Sequence, residues 1–337
     1  MRKNIKFICC AIFFYSILLS AQAAPDRASA SSAKLADGKE TPCVILSNES
    51  LTVKFLPEIG GKIISIKDSS GNEYLDRGTK AYSGRFTEMT YNDTEFDGID
   101  EVFPTMTECK MPAGEFKGAK LHPHGDLYRK KWTHSLDNGT LSMETSGFEL
   151  PYIFKRTAKL DKSSLVLDYT VTNNSKEPLP YIYTFHPIFS ARTGSRLELP
   201  AEMNVKVSYS MKGWLGKGGE SRKLGEIKNE DGTPFLEKMF TSSSGRYWKF
   251  FTEKLTKGEV ILSHEGSSKL VMAWPADMFP YLAVWCSEGN VGGQNHIAPE
   301  PSVSMEESLE KAYAAGEARS IPAKGTEKWQ IRISIMK

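Results

Sequence analysis

The sequence predicts an all-β fold, an antiparallel β-sandwich. Short runs of alternating apolar and polar residues recur along the chain, separated by turn clusters of Gly, Asn, Asp and Pro. No repeated alternation of strand and helix patterns accompanies them, as a parallel α/β sheet would require. The sequence has no internal repeat and no break in composition. We therefore expect one large β domain rather than several small ones.

Several segments carry the strand pattern because their side chains alternate in polarity or are β-branched and apolar. They lie at 44–46, 51–56, 62–67, 140–145, 152–158, 164–173, 269–274, 281–285 and 329–335. The helical pattern is convincing only at Met305–Ala315. Ser304 precedes it as a candidate N-cap, and Gly316 follows its end.

The first 23 residues have the three parts of a cleavable secretory signal peptide. The start is basic (Arg2, Lys3 and Lys6), residues 7–19 are apolar, and small residues precede a cut after Ala23. The apolar run is shorter than the about 20 residues of a membrane-spanning helix. An uncleaved N-terminal anchor is therefore the less favoured alternative, and we expect an exported protein, either periplasmic or extracellular.

Residues 24–40 are small and polar, so we expect a flexible spacer there, followed by a folded domain at 41–337. Loss of the three basic signal residues lowers the formal net charge from +2 to −1. The remaining chain has no basic tract and no second apolar stretch of membrane length. We therefore expect neither nucleic acid nor, after signal cleavage, a membrane as partner. No pattern indicates an oligomeric state.

Three cysteines remain after signal cleavage: Cys43, Cys109 and Cys286. They are too few for a disulfide framework and too widely spaced for a zinc ribbon. One disulfide is compatible with an oxidising compartment. Burial as small apolar residues is the favoured interpretation.

Few histidines are present, and three positions are candidates for chemistry. His122 and His124 form an H-x-H pair, which would bind a metal if it lay on a strand, but a proline and a glycine favour a loop and no third ligand is near. His186 lies in an apolar, aromatic segment typical of a buried core histidine. Glu300 lies between two prolines that restrict its backbone, either as a rim residue or as an aimed base.

These residues belong to a series of motifs along the chain. The series is Gly60–Gly61 after an early strand, His124–Gly125 with Arg129 and Trp132 close behind, Phe185–Phe189, Ala298–Ser302, and Ile321–Gly325 before a final strand. Their order resembles the aldose 1-epimerase family, the galactose mutarotase-like proteins, from about residue 50 to the C-terminus. The resemblance implies an antiparallel β-supersandwich.

The resemblance also implies roles for individual residues. His186 would be the general acid and Glu300 the general base, while His124 would bind and polarise a sugar. Arg85, in the Gly-Arg pair at 84–85, is similar to the family's sugar-binding arginine. Asp277 is similar to the family's active-site aspartate in its place between the acid and the base.

The chemistry of mutarotation fits these side chains. A base removes the anomeric hydroxyl proton, an acid protonates the ring oxygen, and the ring closes again on the other face. A histidine with a pKa of about 6.5 and a glutamate with one of about 4.3 provide this pair at one pH. The reaction needs no cofactor or metal, and we expect none. Aromatic candidates for stacking on the sugar, for each of which core packing is the favoured alternative, are Trp132, Trp274, Tyr281 and Trp285.

The sequence departs from the family at residues 93–101, called the acidic loop below. Five carboxylates occur there within nine residues, in place of the family's asparagine–arginine run. A solvated loop is the favoured interpretation, while acceptors for sugar hydroxyls and a calcium site are alternatives. This departure leaves open both the sugar and whether catalysis is retained.

We therefore expect a mutarotase-like isomerase acting on a small sugar or a glycan end. The alternative is a non-catalytic carbohydrate-binding protein on the same scaffold, because a fold does not determine a function. Predicted export disfavours phosphorylated sugars, which are kept inside the cell.

Overall fold

A computed structural model of the chain describes residues 27–336, except for 230, 241–244, 265–267 and 292. The signal peptide predicted at 1–23 lies outside the described residues. The strands are β1 (Arg27–Lys34), β2 (Glu40–Ser47), β3 (Leu51–Leu56), β4 (Lys62–Asp68), β5 (Ile99–Val102), β6 (Cys109–Lys110), β7 (Lys120–Leu121), β8 (Thr133–Asp137), β9 (Thr140–Ser146), β10 (Tyr152–Asp161), β11 (Ser164–Asn173), β12 (Leu179–Tyr181), β13 (Thr184–Pro187), β14 (Phe189–Ser190), β15 (Arg196–Glu198), β16 (Asn204–Ser210), β17 (Ser221–Lys223), β18 (Tyr247–Thr252), β19 (Glu259–Ser263), β20 (Lys269–Ala273), β21 (Tyr281–Glu288), β22 (Asn295–Ser302), β23 (Arg319–Ile321) and β24 (Thr326–Met336).

Two large antiparallel sheets contain most of these strands. The larger has 12 strands in the order β1-β2-β3-β4-β5-β13-β22-β21-β18-β16-β17, with β14 paired to β22 outside this path. The smaller has eight strands in the order β15-β19-β20-β24-β11-β10-β9-β8. The predicted all-β sandwich is confirmed, and each segment predicted as a strand lies largely within a strand of the structure.

The main hydrophobic core lies between the two sheets. Phe154 and Leu167 of the smaller sheet belong to the same buried cluster as Phe55, Phe250 and Val284 of the larger one. Because successive side chains of a strand point to opposite faces, each strand of the larger sheet also presents residues on the face turned away from this core. That second face carries the site described below.

The short helix α1 (Leu309–Ala314) begins later than predicted. Its N-cap is Ser308, whose hydroxyl oxygen accepts a hydrogen bond from the backbone N–H of Lys311 at 3.4 Å. The predicted cap at Ser304 is wrong, because no helix begins there; its hydroxyl accepts from the backbone N–H of Glu306 at 2.8 Å and donates to Glu317 at 2.6 Å. Gly316 follows the helix end as predicted, with a φ of +70°.

The flexible spacer predicted at 24–40 is wrong where the chain forms a strand. Residues Arg27–Lys34 form β1, which pairs with β2 along its whole length. Backbone hydrogen bonds hold this edge strand, while its side chains are mostly exposed. The small, polar composition therefore concealed a strand that needs little side-chain burial.

Two further expectations can be compared with the structure. Cys43 and Cys286 are buried, Cys109 is half-buried, and all three are free thiols. Within the described ranges, no helix has the length and apolar character needed to cross a membrane.

Candidate functional site

His186 and Glu300 come together through the register of the central strands. Thr184 of β13 pairs with Ser302 of β22. Two residues further along these antiparallel strands, His186 and Glu300 lie side by side on one face of the sheet. On the other side of His186, β5 places Asp100 directly opposite. Three neighbouring strands thus bring three titratable side chains into one row.

This face is the outer face of the larger sheet. Phe185 and Val284 belong to the core between the sheets. The residues that follow them, His186 and Trp285, therefore point to the opposite, outer face. The outer face forms one wall of a cavity of about 450 Å³. Its lining is Thr90, Tyr91, Asn92, Phe96, Met106, Thr107, Glu108, Pro123, His124, His186, Tyr209, Tyr247, Lys249, Trp285, Glu300 and Glu307.

Three buried polar atoms on the cavity walls lack a hydrogen-bond partner among the described residues. They are Oε1 of Glu300, Nδ1 of His124 and Nε1 of Trp285. Buried polar groups in folded proteins are nearly always hydrogen-bonded. One carboxylate oxygen, one indole N–H and one imidazole nitrogen of the lining residues are therefore left without a protein partner among the described residues.

The candidate acid and base lie next to each other on one wall of this cavity. Nε2 of His186 lies 3.7 Å from Oε1 of Glu300, and both side chains are buried. Burial, followed by the nearby His124 and Lys249, lowers the pKa of His186 well below its usual range. Burial also raises the pKa of Glu300, although Lys249 opposes this. Burial thus favours the uncharged form of each group.

The other ring nitrogen of His186 contacts a tyrosine of the neighbouring loop. Nδ1 lies 3.3 Å from the hydroxyl oxygen of Tyr91, which is also 3.2 Å from Oδ2 of Asp100. That carboxylate oxygen accepts a hydrogen bond from Nζ of the buried Lys62 at 2.7 Å. A continuous chain of polar contacts therefore runs from Lys62 to the imidazole.

The other carboxylate oxygen of Glu300 is held by a lysine. Nζ of Lys249 lies 2.8 Å from Oε2 of Glu300 and 2.8 Å from Oε1 of Glu307. Burial works to lower the pKa of Lys249, but the two carboxylates together raise it above its ordinary value. Lys249 is therefore a buried cation shared between two anions.

His124 reaches the cavity through an unusual local backbone. Its φ is +59°, and that of Gly125 is +69°. A Cβ atom at Gly125 would lie 1.8 Å from the carbonyl oxygen of Phe103, so only glycine fits. The H-x-H pair is thus a turn rather than a strand. Burial lowers the pKa of His124 to about 3, which keeps the ring neutral.

Arg85 does not line the cavity. Its guanidinium makes a bidentate ion pair with the carboxylate of Glu95, with N–O distances of 3.0 and 2.8 Å. Both side chains are buried. The sugar-binding role that the resemblance implied is not supported by this position, because Arg85 neutralises a carboxylate of the acidic loop.

Trp274 and Asp277 also lie away from the cavity. The indole N–H of Trp274 donates to the carbonyl oxygen of Phe279 at 2.9 Å and fixes the turn after β20. Asp277 is exposed in the same turn. Of the four aromatic candidates, Trp285 lines the cavity, while Trp132 packs in the core and Tyr281 donates to Glu317 at 2.9 Å.

The acidic loop is not solvated, contrary to the favoured prediction. Asp93 is exposed, but the other four carboxylates are buried, namely Glu95, Asp97, Asp100 and Glu101. Lys62, Arg85 and Arg156 neutralise them from inside the protein. No group of three or more His, Cys, Asp or Glu side chains is placed to hold a metal ion in the part of the chain that the structure describes.

Three residues of the site were not predicted from the sequence. Tyr91 adjoins the acidic loop, Lys249 lies on β18, and Glu307 precedes α1. Tyr91 and Lys249 belong to segments distant in sequence from His186 and Glu300, whereas Glu307 lies shortly after Glu300, beyond the end of β22. The only signal for Lys249 was a charged residue within the apolar run at 247–252.

No protein-family model matches the chain. The Slr1438 protein of Synechocystis sp. PCC 6803 is similar in structure, with a TM-score of 0.65 and 16% identity over 96% of this chain and 99% of that chain. A galactose mutarotase-like protein of Clostridium acetobutylicum also gives 0.65, with 14% identity over 93% of this chain and 99% of that one.

A galactose mutarotase related enzyme of Lactobacillus acidophilus has a TM-score of 0.62 and 13% identity, over 87% of this chain and 97% of that chain. At such identities the likeness concerns the fold. It extends over nearly the whole of each protein. The chain therefore has the galactose mutarotase-like fold.

Proposed function

We propose that this protein is a mutarotase-like isomerase that interconverts the anomers of a free sugar or of a glycan end. The observation that carries the proposal is the 3.7 Å approach of His186 Nε2 and Glu300 Oε1 on the wall of one cavity. An acid and a base so placed can act on two oxygens bound to the same carbon. The similarity to a galactose mutarotase related enzyme supports the same interpretation.

In the proposed reaction, Glu300 accepts the proton of the anomeric hydroxyl. Protonated His186 gives its Nε2 proton to the ring oxygen, so the bond between that oxygen and the anomeric carbon breaks, an aldehyde forms and the imidazole is left neutral. Rotation about the neighbouring carbon–carbon bond exposes the other face of the aldehyde. Ring closure then returns one proton to His186 and the other to the new anomeric hydroxyl.

Tyr91 supports the required form of His186. Its single hydroxyl proton has two acceptors within reach, Nδ1 of His186 and Oδ2 of Asp100. Asp100 already accepts a hydrogen bond from Lys62. When Tyr91 donates to Asp100, its oxygen can accept a hydrogen bond from Nδ1–H of His186, so the ring can carry a second proton on Nε2, the nitrogen that faces Glu300. This is the proton that the proposed reaction transfers to the ring oxygen.

The remaining walls suit a sugar. Trp285 offers an indole face and an unpartnered N–H. Tyr209 and Tyr247 stack on each other with ring centroids 5.0 Å apart, and Tyr247 meets Trp285 edge to face. The apolar face of a pyranose packs on such aromatic surfaces. A volume of about 450 Å³ is typical of a small-molecule site.

Polarimetry tests the proposal. Purified protein is added to freshly dissolved α-anomers of several hexoses and pentoses, and the approach of optical rotation to equilibrium is compared with a buffer blank. Acceleration proportional to protein concentration is expected for at least one sugar. If no sugar is accelerated while calorimetry detects sugar binding, the non-catalytic alternative replaces the isomerase. Export is also proposed, and sequencing of the mature N-terminus should find a start at Ala24.

A further inference from the structure

We propose that Lys249 is a positioning residue that holds Glu300 ionised and leaves one of its carboxylate oxygens free to act as the base. This inference rests on the proposed function, because it assigns a role to Glu300 in that reaction. It goes beyond the acid–base pair itself, since it assigns a role to a third residue, whose ammonium contacts Glu300 and Glu307.

The two carboxylate oxygens of Glu300 differ in their contacts: one is hydrogen-bonded to Lys249 and the other is not. Oε2 accepts a hydrogen bond from Nζ of Lys249 at 2.8 Å. Oε1 has no hydrogen-bond partner among the described residues and faces Nε2 of His186 at 3.7 Å. Anchoring of Oε2 restricts rotation of the carboxylate, so Oε1 stays directed at the cavity.

The sheet explains how Lys249 reaches so far. It lies on β18, and Glu300 lies on β22, with β21 between them. Two strand spacings amount to about 10 Å, which only a long side chain can cross. On β21, Trp285 pairs with Lys249 and Ala283 pairs with Glu300, so the lysine side chain reaches the carboxylate diagonally across this strand.

Electrostatics makes the ammonium necessary. Glu300 is only 1% exposed, and a buried carboxylate without an opposite charge takes up a proton. A protonated Glu300 could not accept the anomeric proton. Burial raises the pKa of Glu300, Lys249 lowers it, and the negative charge of Glu307 raises it again. The two charged neighbours therefore act on the base in opposite directions.

This opposition provides the test. The pH dependence of kcat/KM for anomerisation is measured for the wild type, Lys249→Met and Glu307→Gln. In Lys249→Met the acidic limb should move to higher pH, so that activity on this limb falls about tenfold for each pH unit that the limb moves and recovers as the pH rises. In Glu307→Gln the same limb should move to lower pH. Lys249→Arg keeps the positive charge, so its acidic limb should lie at the same pH as that of the wild type.

Lys206→Met is the matched control. Lys206 is a half-buried lysine on the neighbouring strand β16, with no ion pair among the described residues. Its pH profile should equal that of the wild type. A uniform loss of kcat/KM at every pH in Lys249→Met, with the limb unmoved, would show that Lys249 has only a packing role.

A second measurement separates this inference from the proposed function. The side-chain carboxyl carbon of Glu300 is titrated by ¹³C NMR in glutamate-labelled protein and assigned with Glu300→Gln. A higher pKa in Lys249→Met and a lower one in Glu307→Gln support the inference even if no sugar is turned over. Equal pKa values in all three proteins would overturn it even if the wild type is an active mutarotase.

Discussion

The imidazole ring of His124 lies flat against the phenol ring of Tyr91, with centroids 3.8 Å apart and planes within 3° of parallel. The hydroxyl of the same tyrosine contacts Nδ1 of His186. One tyrosine therefore orients both histidines of the cavity, one through its ring face and the other through its hydroxyl. Because His124 is packed as a neutral ring, its protonation opposes the folded state.

We expect His124 to destabilise the fold as the pH falls. Burial lowers its pKa from 6.5 to about 3. Between these values the unfolded chain binds a proton that the folded protein does not, so stability is lost progressively as the pH falls from about 6.5 towards 3. His124→Phe keeps a flat ring on Tyr91 but cannot titrate. Its free energy of unfolding, measured in urea at several pH values, should fall less over this interval.

His134→Phe is the control for this measurement, because His134 lies on β8, where the side chains are exposed. It should follow the wild type across the same pH range. Equal acid sensitivity of the wild type and His124→Phe would show that the histidine is not responsible.

Arg85→Met should reduce stability without affecting sugar binding. It leaves the buried carboxylate of Glu95 without its guanidinium, and loss of one partner of a buried ion pair costs about 3–5 kcal/mol. Chemical denaturation measures the change, and calorimetry measures the sugar Kd of the folded variant. Lys39→Met, which breaks an exposed pair with Asp37, should leave stability unchanged within error. A stable Arg85→Met protein with weakened sugar binding would restore the role implied by the family resemblance.

The strands could be predicted because alternation reports directly on burial of one sheet face. The segment 140–145 carries this signal along its whole length. β1 lacks it, since an edge strand held by backbone hydrogen bonds needs no apolar side chains. The start of α1 was misplaced because two serines, Ser304 and Ser308, both fit the N-cap pattern, and only the fold shows which hydroxyl is occupied.

The site was predictable only where order along the chain was informative. His124, His186 and Glu300 lie in motifs whose order resembled a known family, and the structure brings them to one cavity. The order of motifs along the chain does not show which way a side chain points in the folded protein. Trp274 and Trp285 occur in similar apolar segments, yet only the second faces the cavity, because Trp285 lies on β21 of the larger sheet, while Trp274 lies in the turn after β20 of the smaller sheet.

Trp285→Phe should weaken sugar binding. It removes an indole N–H that has no partner among the described residues and keeps an aromatic face on the cavity wall. The loss of one hydrogen bond, about 0.5–1.5 kcal/mol, corresponds to a rise in Kd of about two- to tenfold, measured by calorimetry. Trp274→Phe is the matched control, since it should lower stability by about 1 kcal/mol and leave the Kd unchanged. A raised Kd in Trp274→Phe with an unchanged Kd in Trp285→Phe would indicate that the sugar binds at the turn after β20.

Gly125→Ala should disrupt the turn that carries His124. A Cβ atom there would overlap the carbonyl oxygen of Phe103, in addition to the strain of a positive φ. Gly118→Ala has a similar φ of +89° but no atom within 4 Å of its Cβ. We expect the control to cost about 1–2 kcal/mol from strain alone and Gly125→Ala to cost clearly more, with weaker sugar binding. Equal losses in the two variants would show that the contact with Phe103 is unimportant.

His186→Asn and Glu300→Gln should each abolish most of the turnover while sugar binding stays measurable. Both substitutions keep a polar side chain of similar size on the cavity wall, but neither new side chain can exchange a proton near neutral pH. Loss of a positioned acid or base reduces rate by about 10²–10⁴-fold. Polarimetry measures the rate and calorimetry the Kd. His122→Asn, which changes a histidine outside the cavity lining, should retain the wild-type rate. Full activity in either site variant would remove that residue from the proposed mechanism.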